Sequence, residues 1–251
     1  MLGRLAVLCL NAILKRLPRG RAEEFLASAL KKRCIDLPAD EALRFLFQIE
    51  DRLYRLQAVM ATEREGGLHP KHRLTGYHDF FASRIKAGER VLDVGCGNGA
   101  LACDLARRCG CRVTGIDLRP QNIEKARADF SHPHVEYVVG DALRDLPGGK
   151  FDVVVLSNVL EHLDGRAEFL RRLTASTGAR RFLVRVPFFE RDWRVPLRRE
   201  LWVEWRLDAE HKTEYTLKTF QKEMADAGMT AVHQEVRWGE IWAEAHIAEG
   251  R

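Results

Sequence analysis

The chain has 251 residues, 46% of them apolar and 31% charged, enough for one large packed domain or one and a half. Its six cysteines, Cys9, Cys34, Cys96, Cys103, Cys109 and Cys111, make no C-x-x-C pair and no disulfide-dense pattern, so they predict reduced thiols, a cytoplasmic location and no structural zinc. The net charge of +5 comes from small basic clusters such as Lys31-Lys32-Arg33 and Arg198-Arg199, with no aromatic-basic recognition motif, which argues against nucleic acid and leaves room for an anionic small substrate.

Residues 1–17 carry an uncharged run from Leu5 to Leu14. It is too short to span a bilayer, which takes about 20 apolar residues, so no transmembrane segment is expected. Leu17-Pro18-Arg19-Gly20-Arg21 is a poor cleavage site for an export signal. The segment reads as a helix that buries an apolar stripe against the rest of the chain or against a second copy in a homodimer. Peripheral contact of 1–17 with a membrane stays open beside that reading. Helical periodicity continues from Arg21 to Glu65 through Phe25, Leu26, Leu30, Leu43, Phe45, Leu46, Ile49, Leu53 and Leu56, and Pro38 separates two helices. Residues 1–66 thus form a helical extension that ends at a Gly66-Gly67 hinge, with 67–251 as the main domain.

From His69 to Phe81 come three histidines and a pattern that packs Leu74, Tyr77 and Phe81 on one face. Then Val91 to Gly99 compresses a short buried strand, the acid Asp93 and three glycines into nine positions. Glycine is required where backbone turns with positive φ or approaches a ligand too closely for a Cβ. A helix follows over Ala100–Arg108, and its unpaired N–H groups face that loop. Cys111–Asp117 is a second strand, ending in an acid about 20 residues past the first turn, where a ribose-binding carboxylate belongs. A third strand, Val135–Ala142, carries Asp141 near its end, and a fourth, Phe151–Asn158, is nearly all apolar as a central strand is. Singly, acids at strand ends also serve as turn and cap residues.

From Arg90 to Ile247 these segments resemble the class I S-adenosylmethionine-dependent methyltransferases. The D-V-G-C-G-N-G loop, the G-I-D-L and G-D-A strand ends and the N-V-L-E-H-L segment carry the likeness. Gly95, Gly97 and Gly99 have G-x-G-x-G spacing, unlike the G-x-G-x-x-G of dinucleotide-binding dehydrogenases. The resemblance implies an α/β, Rossmann-like, seven-stranded and mostly parallel sheet with a C-terminal antiparallel hairpin, and S-adenosyl-L-methionine as cofactor. It implies that Asp93, Gly95, Cys96, Gly97, Asn98 and Gly99 surround the amino-acid part of that cofactor. Asp117 would take the ribose hydroxyls, Leu118 would lie on the adenine, and Asp141 with the Ala142 N–H would meet the adenine edge. Asn158 and Val159 would line the methionine end. Lys71, His72, Arg73 and Tyr77 are candidates for the cofactor carboxylate, or members of a solvated helix. The subgroup that the chain is most similar to is the ubiquinone-pathway O-methyltransferases.

Methyl transfer requires donor and acceptor in line and, for a hydroxyl acceptor, a group that takes a proton. Glu161 and His162, directly after the fourth strand, are candidates, and packing beneath the next helix is the other reading of His162. His211 lies in Arg206–Thr216, before a helix over Leu217–Ala227 that Thr216 can cap. In metal-dependent small-RNA and ubiquinone-pathway methyltransferases, E-x-x-E-H and a later His hold a divalent ion. Here Asn158 stands at the first Glu, so a metal is not favoured, and Glu161, His162 and His211 are the residues that would hold one with waters. The aromatic and charged insert Pro187–Trp205 suits either a sugar ring or a dimer interface. Met229–Trp238 and Ile241–Ile247 form the closing hairpin about Gly239, with its tryptophans over the sheet. The expected activity is O-methylation of a small molecule or saccharide. The alternatives are an RNA methyltransferase and a non-catalytic methyltransferase-fold partner subunit.

Overall fold

A computed structural model describes residues 2–248. The chain divides into two compact units, one of residues up to Met60 with Arg198–Glu204, the other of Ala61–Leu197 with residues from Trp205 onward.

The first unit contains α1 (Leu2–Arg16), α2 (Arg19–Cys34) and most of α3 (Ala39–Arg64). Pro38 stands just ahead of α3, and Asp40 and Glu41 in its first turn complement the positive end of the helix dipole. Phe47 is the buried side chain of α3. The Arg198 guanidinium lies 4.7 Å from its ring centre and reaches Glu50 at 2.7 Å and Asp51 at 2.6 Å. Arg44 donates to the Leu201 carbonyl at 3.0 Å, so Arg198–Glu204 is tied to α3 by paired charge and stacking. Within one copy of the chain the stripe of α1 is uncovered: Val7, Leu8, Leu10 and Ile13 are all exposed.

The second unit is a seven-stranded sheet in the order β3-β2-β1-β4-β5-β7-β6. Its strands are β1 (Arg90–Val94), β2 (Arg112–Asp117), β3 (Val135–Val139), β4 (Val153–Ser157), β5 (Arg181–Pro187), β6 (Met229–Arg237) and β7 (Glu240–Ile247). The first five pair in parallel, while β7 runs antiparallel to both β5 and β6. Val94 pairs with Ile116 on one side and with Leu156 on the other, so β1, β2 and β4 end level and their loops emerge at one edge. The strand order reverses between β1 and β4, and a sheet of this kind opens its ligand crevice at that point.

Helices α4 (Lys71–Leu74), α5 (Tyr77–Ala82), α6 (Ala100–Cys109), α7 (Pro120–Asp129), α8 (Arg166–Thr177), α9 (Arg194–Glu200) and α10 (Leu217–Asp226) complete the elements. Stretch 69–81 breaks in two at Gly76, whose φ of 65° is left-handed; Tyr77 and Phe81 are buried as expected but Leu74 is exposed. Thr216 caps α10 reciprocally with Thr219. The third strand stops at Val139, short of the expected Ala142. There the Gly140 N–H donates back to the Asp117 carbonyl, and the Asp141 carboxylate takes the Leu143 N–H in a turn. The hairpin turns on Trp238 and Gly239, both at positive φ. Its tryptophans part company, Trp242 fully buried and Trp238 exposed.

Gly99 opens α6 with φ +82°, and a Cβ there would stand 2.5 Å from the Tyr137 hydroxyl oxygen and 2.8 Å from Ala126 Cβ. Gly99→Ala therefore combines left-handed strain with overpacking and is expected to cost about 2–4 kcal/mol. A urea midpoint lowered accordingly at unchanged slope checks it.

Candidate active site

Three successive backbone N–H groups of the loop after β1 are spent on the end of β2. Gly95 and Cys96 donate to the Ile116 carbonyl at 2.8 and 3.1 Å, and Gly97 donates to Asp117 Oδ2 at 2.9 Å. Asp117 Oδ1 accepts from the Arg119 N–H at 2.9 Å and from Asn122 Nδ2 at 3.0 Å. A carboxylate has about four acceptor positions, so one remains for a ligand hydroxyl unless Asn122 turns away. Gly95 closes on the exit of β4, where its Cβ would stand 2.9 Å from Val159 Cγ2, while nothing lies within 4 Å of the place a Gly97 Cβ would take. Asn98 Oδ1 accepts from the Ala100 N–H at 3.3 Å at the start of α6. Leu118 is 67% exposed, and Ala142 packs half-buried on the core.

Asp93 is buried at the floor of this loop, and its Oδ2 has no hydrogen-bond partner. Burial, and then the charge of Asp117, push its carboxyl up to about 7. A buried acceptor left unpaired costs free energy. A cationic or N–H-bearing ligand group would relieve it. The orphan oxygen of Asp93, the clear space over Gly97 and the spare acceptor position of Asp117 fit a ligand with an amino group at one end and a ribose at the other.

A second set of residues gathers where β4 ends. Ligand atoms of Glu161, His162 and His211 all lie within 4.8 Å of one another. The backbone explains the meeting: the Lys212 and Thr213 N–H groups both donate to the Glu161 carbonyl, at 2.6 and 3.3 Å. Glu161 is completely buried and neither carboxylate oxygen has a partner. Burial raises it from 4.5 to about 8. His162 sits edge-on to His211 with ring centres 4.7 Å apart, and burial followed by the neighbouring His211 lowers its pKa. His211 Nδ1 faces Glu214 Oε1 at 3.1 Å, which assigns the proton to Nδ1 and leaves the Nε2 lone pair free. Glu214 is itself held by Arg191 and by the Leu207 N–H.

The sequence reading missed Arg185. It lies 3.8 Å over the Tyr77 ring, donates to Asn158 Oδ1 at 3.1 Å, and reaches Glu240 at 3.5 Å. The Tyr77 hydroxyl meets His72 Nδ1 at 2.6 Å, so Arg185 links three of the expected residues, His72, Tyr77 and Asn158. His72 is lowered to about 4, chiefly by burial and then by His78, and is neutral at physiological pH. Arg73 points to Glu65 at 2.8 Å; Lys71 keeps an exposed face, yet burial of its amine and then the Arg185 charge lower its pKa, against Glu240 and Glu161. Asn158 has φ +58° and faces Arg185. The one advance signal for Arg185 was a charge inside the otherwise apolar Phe182–Val186. In the insert, Trp193 and Trp202 are exposed and Trp205 stacks edge-on with Phe189 at 5.2 Å.

A glycine loop, level strand ends and this strand order define the class I methyltransferase fold, in which S-adenosylmethionine is the cofactor. The chain belongs to the methyltransferase-domain family, which matches residues 67–234. It is similar to the ribosomal protein L11 methyltransferase of Burkholderia ambifaria (strain MC40-6), 43% identical over 99 residues, 38% of this chain and 31% of that protein. The match thus spans about a third of the length of that curated relative. Among solved structures it resembles a chain in the complex between the Haloferax volcanii Trm112 methyltransferase activator and a methyltransferase, with TM-score 0.60 and 18% identity over 75% of this chain and 96% of that one. It also resembles magnesium protoporphyrin IX methyltransferase from Synechocystis PCC 6803 with bound SAH, with TM-score 0.55 and 18% identity over 70% of this chain and 81% of that one. At these identities the two structures share its fold. Among the described residues no helix is long and apolar enough to cross a membrane.

The raised carboxyl of Glu161 has a consequence for stability. The unfolded chain ionises near the ordinary 4.5, while the native site keeps its proton up to about 8, so the native state binds more protons across that window. Stability of the ligand-free protein should therefore fall as pH rises from about 6.5 to 8; below about 6.5 the lowered His72 and His162 bind protons in the unfolded state and oppose that fall. Glu161→Gln should flatten that slope in thermal melts taken across the range, with Asp93 leaving a shallower slope of the same sign up to about 7.

Proposed function

We propose that this protein transfers a methyl group from S-adenosylmethionine to a hydroxyl of a small molecule or saccharide, and that residues 67–251 carry the activity with 1–66 as a helical extension. The observation that carries the acceptor chemistry is the Glu161, His162 and His211 cluster, with a fully buried carboxylate that has no partner of its own.

When bound, the cofactor supplies the methyl carbon, and the electron pair of the broken S–C bond stays on sulfur. Asp93, Gly95, Cys96, Gly97, Asn98 and Gly99 hold its amino-acid part, Asp117 its ribose, and Leu118, Asp141 and Ala142 its adenine. Asn158, Val159, His72 and Tyr77 wall the methionine end, and Arg185 fixes the last two with Asn158. The hydroxyl proton passes to Nε2 of His211, whose ring is oriented by Glu214. The same donors could instead hold a divalent cation through Glu161, His162 and Nε2 of His211; that cation would polarise the acceptor hydroxyl, and Nε2 would then not take the proton. A cation there would compensate the buried Glu161 charge, and Glu214 would orient His211 from behind.

Calorimetric titration with S-adenosylhomocysteine tests the cofactor half. Asp117→Ala should weaken binding at least tenfold, since it removes a charged acceptor. Turnover on a panel of hydroxyl acceptors tests the other half. His211→Ala should slow methylation about 100-fold or more with S-adenosylhomocysteine binding intact. Loss of turnover on chelation, restored by Mg²⁺ or Mn²⁺, would put a cation on Nε2 of His211 in place of the proton. Full activity in excess chelator would remove the cation and leave His211 as the base, whereas methylation of bulk RNA in preference to every small acceptor would overturn the acceptor class.

A further inference from the structure

Charge is unevenly spread along this chain. Residues 1–37 hold eight Lys and Arg against Glu23, Glu24 and Asp36, a net of +5. That equals the net charge of the whole protein, so residues 38–251 balance to zero. No acid precedes Glu23, while Arg4, Lys15, Arg16, Arg19 and Arg21 do.

The same stretch leaves apolar surface uncovered. Val7, Leu10, Ile13 and Leu14 follow i, i+3, i+6, i+7 and share one face of α1. Val7 is 56%, Leu10 38% and Ile13 49% exposed. Arg4, Asn11 and Lys15, at i, i+7 and i+11, form a separate polar stripe. In α2, Phe25 and Leu26 are exposed as well.

We propose that α1 and the start of α2 dock on an anionic lipid bilayer, lying in its surface. The face of Val7, Leu10 and Ile13 enters the boundary between headgroups and acyl chains, and Lys15, Arg16, Arg19 and Arg21 meet the lipid phosphates. Charge complementarity selects this occupant. A second copy would set +5 against +5, and a nucleic acid would satisfy the charges but leave the apolar face in water. An interfacial helix needs both a basic side and an apolar one, with too little length of apolar chain to span, and α1 has each of these. The inference stands apart from the methyl-transfer reading and survives its failure.

Co-sedimentation of the full chain with phosphatidylcholine vesicles, with and without about a third phosphatidylglycerol, tests it. Partitioning onto the anionic vesicles should exceed that onto neutral ones at least tenfold and fall at least tenfold at high salt, where charges are screened. A basic residue near such a surface contributes about fivefold. Lys15→Glu with Arg16→Glu should therefore cut partitioning by more than tenfold, and Leu10→Asp with Ile13→Asp by a similar factor. Circular dichroism checks that the variants remain folded; if one does not, the lipid and salt dependence of the unaltered chain decides. Three results would overturn the proposal: no preference for anionic vesicles, an apolar-face variant that binds like the unaltered chain, or no vesicle binding together with a dimer that Leu10→Asp dissociates.

Discussion

The last two residues of β2 hold the glycine loop in place. Ile116 and Asp117 receive the N–H groups of Gly95, Cys96 and Gly97 in turn, so the loop cannot shift without breaking three hydrogen bonds at the end of a parallel strand. Everything around the loop follows from that anchorage. Gly95 is pressed against Val159, Gly99 is filled from behind by Tyr137, and Asp93 is left beneath with one oxygen unpaired. The cost of that unpaired oxygen is borne by the packing of β1 between β2 and β4. The three N–H groups of this loop are occupied within the protein. What the loop offers a ligand is chiefly an acceptor, Asp93, and an empty space above Gly97.

The other half of the crevice is built on the same economy. Backbone bonds from Lys212 and Thr213 to Glu161 bring a distant segment to the end of β4, and Glu214, braced by Arg191 and the Leu207 N–H, turns His211. Arg185 does the corresponding work at the end of β5, where its guanidinium is shared among Tyr77, Asn158 and Glu240. Two buried carboxylates therefore keep unpaired oxygens, Asp93 below the glycine loop and Glu161 past the end of β4, each backed by braced neighbours. Sites of this kind gain precision because their supports are themselves fixed.

Much of this was legible from the residues alone where local spacing carries the signal. Glycines at 95, 97 and 99, acids at 93, 117 and 141 and the apolar run of β4 each mark a strand end within a few positions, and the sheet that joins them follows. The third strand was read too long because Gly140 and Asp141 make a turn whose bonds come from Asp117 and Leu143. Arg185 and Glu240 were not legible because their meaning depends on which strands lie side by side, and Glu214 because it acts only through the turn that sets it against His211. Arg185 on β5 faces Trp242 across the antiparallel pair with β7, and nothing local to either strand announces that. The meeting of Glu161, His162 and His211 could be guessed from motif order, but not that Glu161 would be fully buried without a partner. The face of α1 is exposed within one copy of the chain: periodicity tells which residues share a face, not what covers it.

Asn158 has a left-handed backbone, with its side chain turned to Arg185. Asparagine tolerates that conformation, whereas a longer carboxylate residue pays strain to adopt it. A Glu at this position would hold the left-handed backbone at a cost of about 1–2 kcal/mol and would set a full carboxylate charge against the Arg185 guanidinium. This protein and one with Glu at the first position of an E-x-x-E-H stretch thus differ in main-chain strain and in the charge facing Arg185 as well as in one side chain.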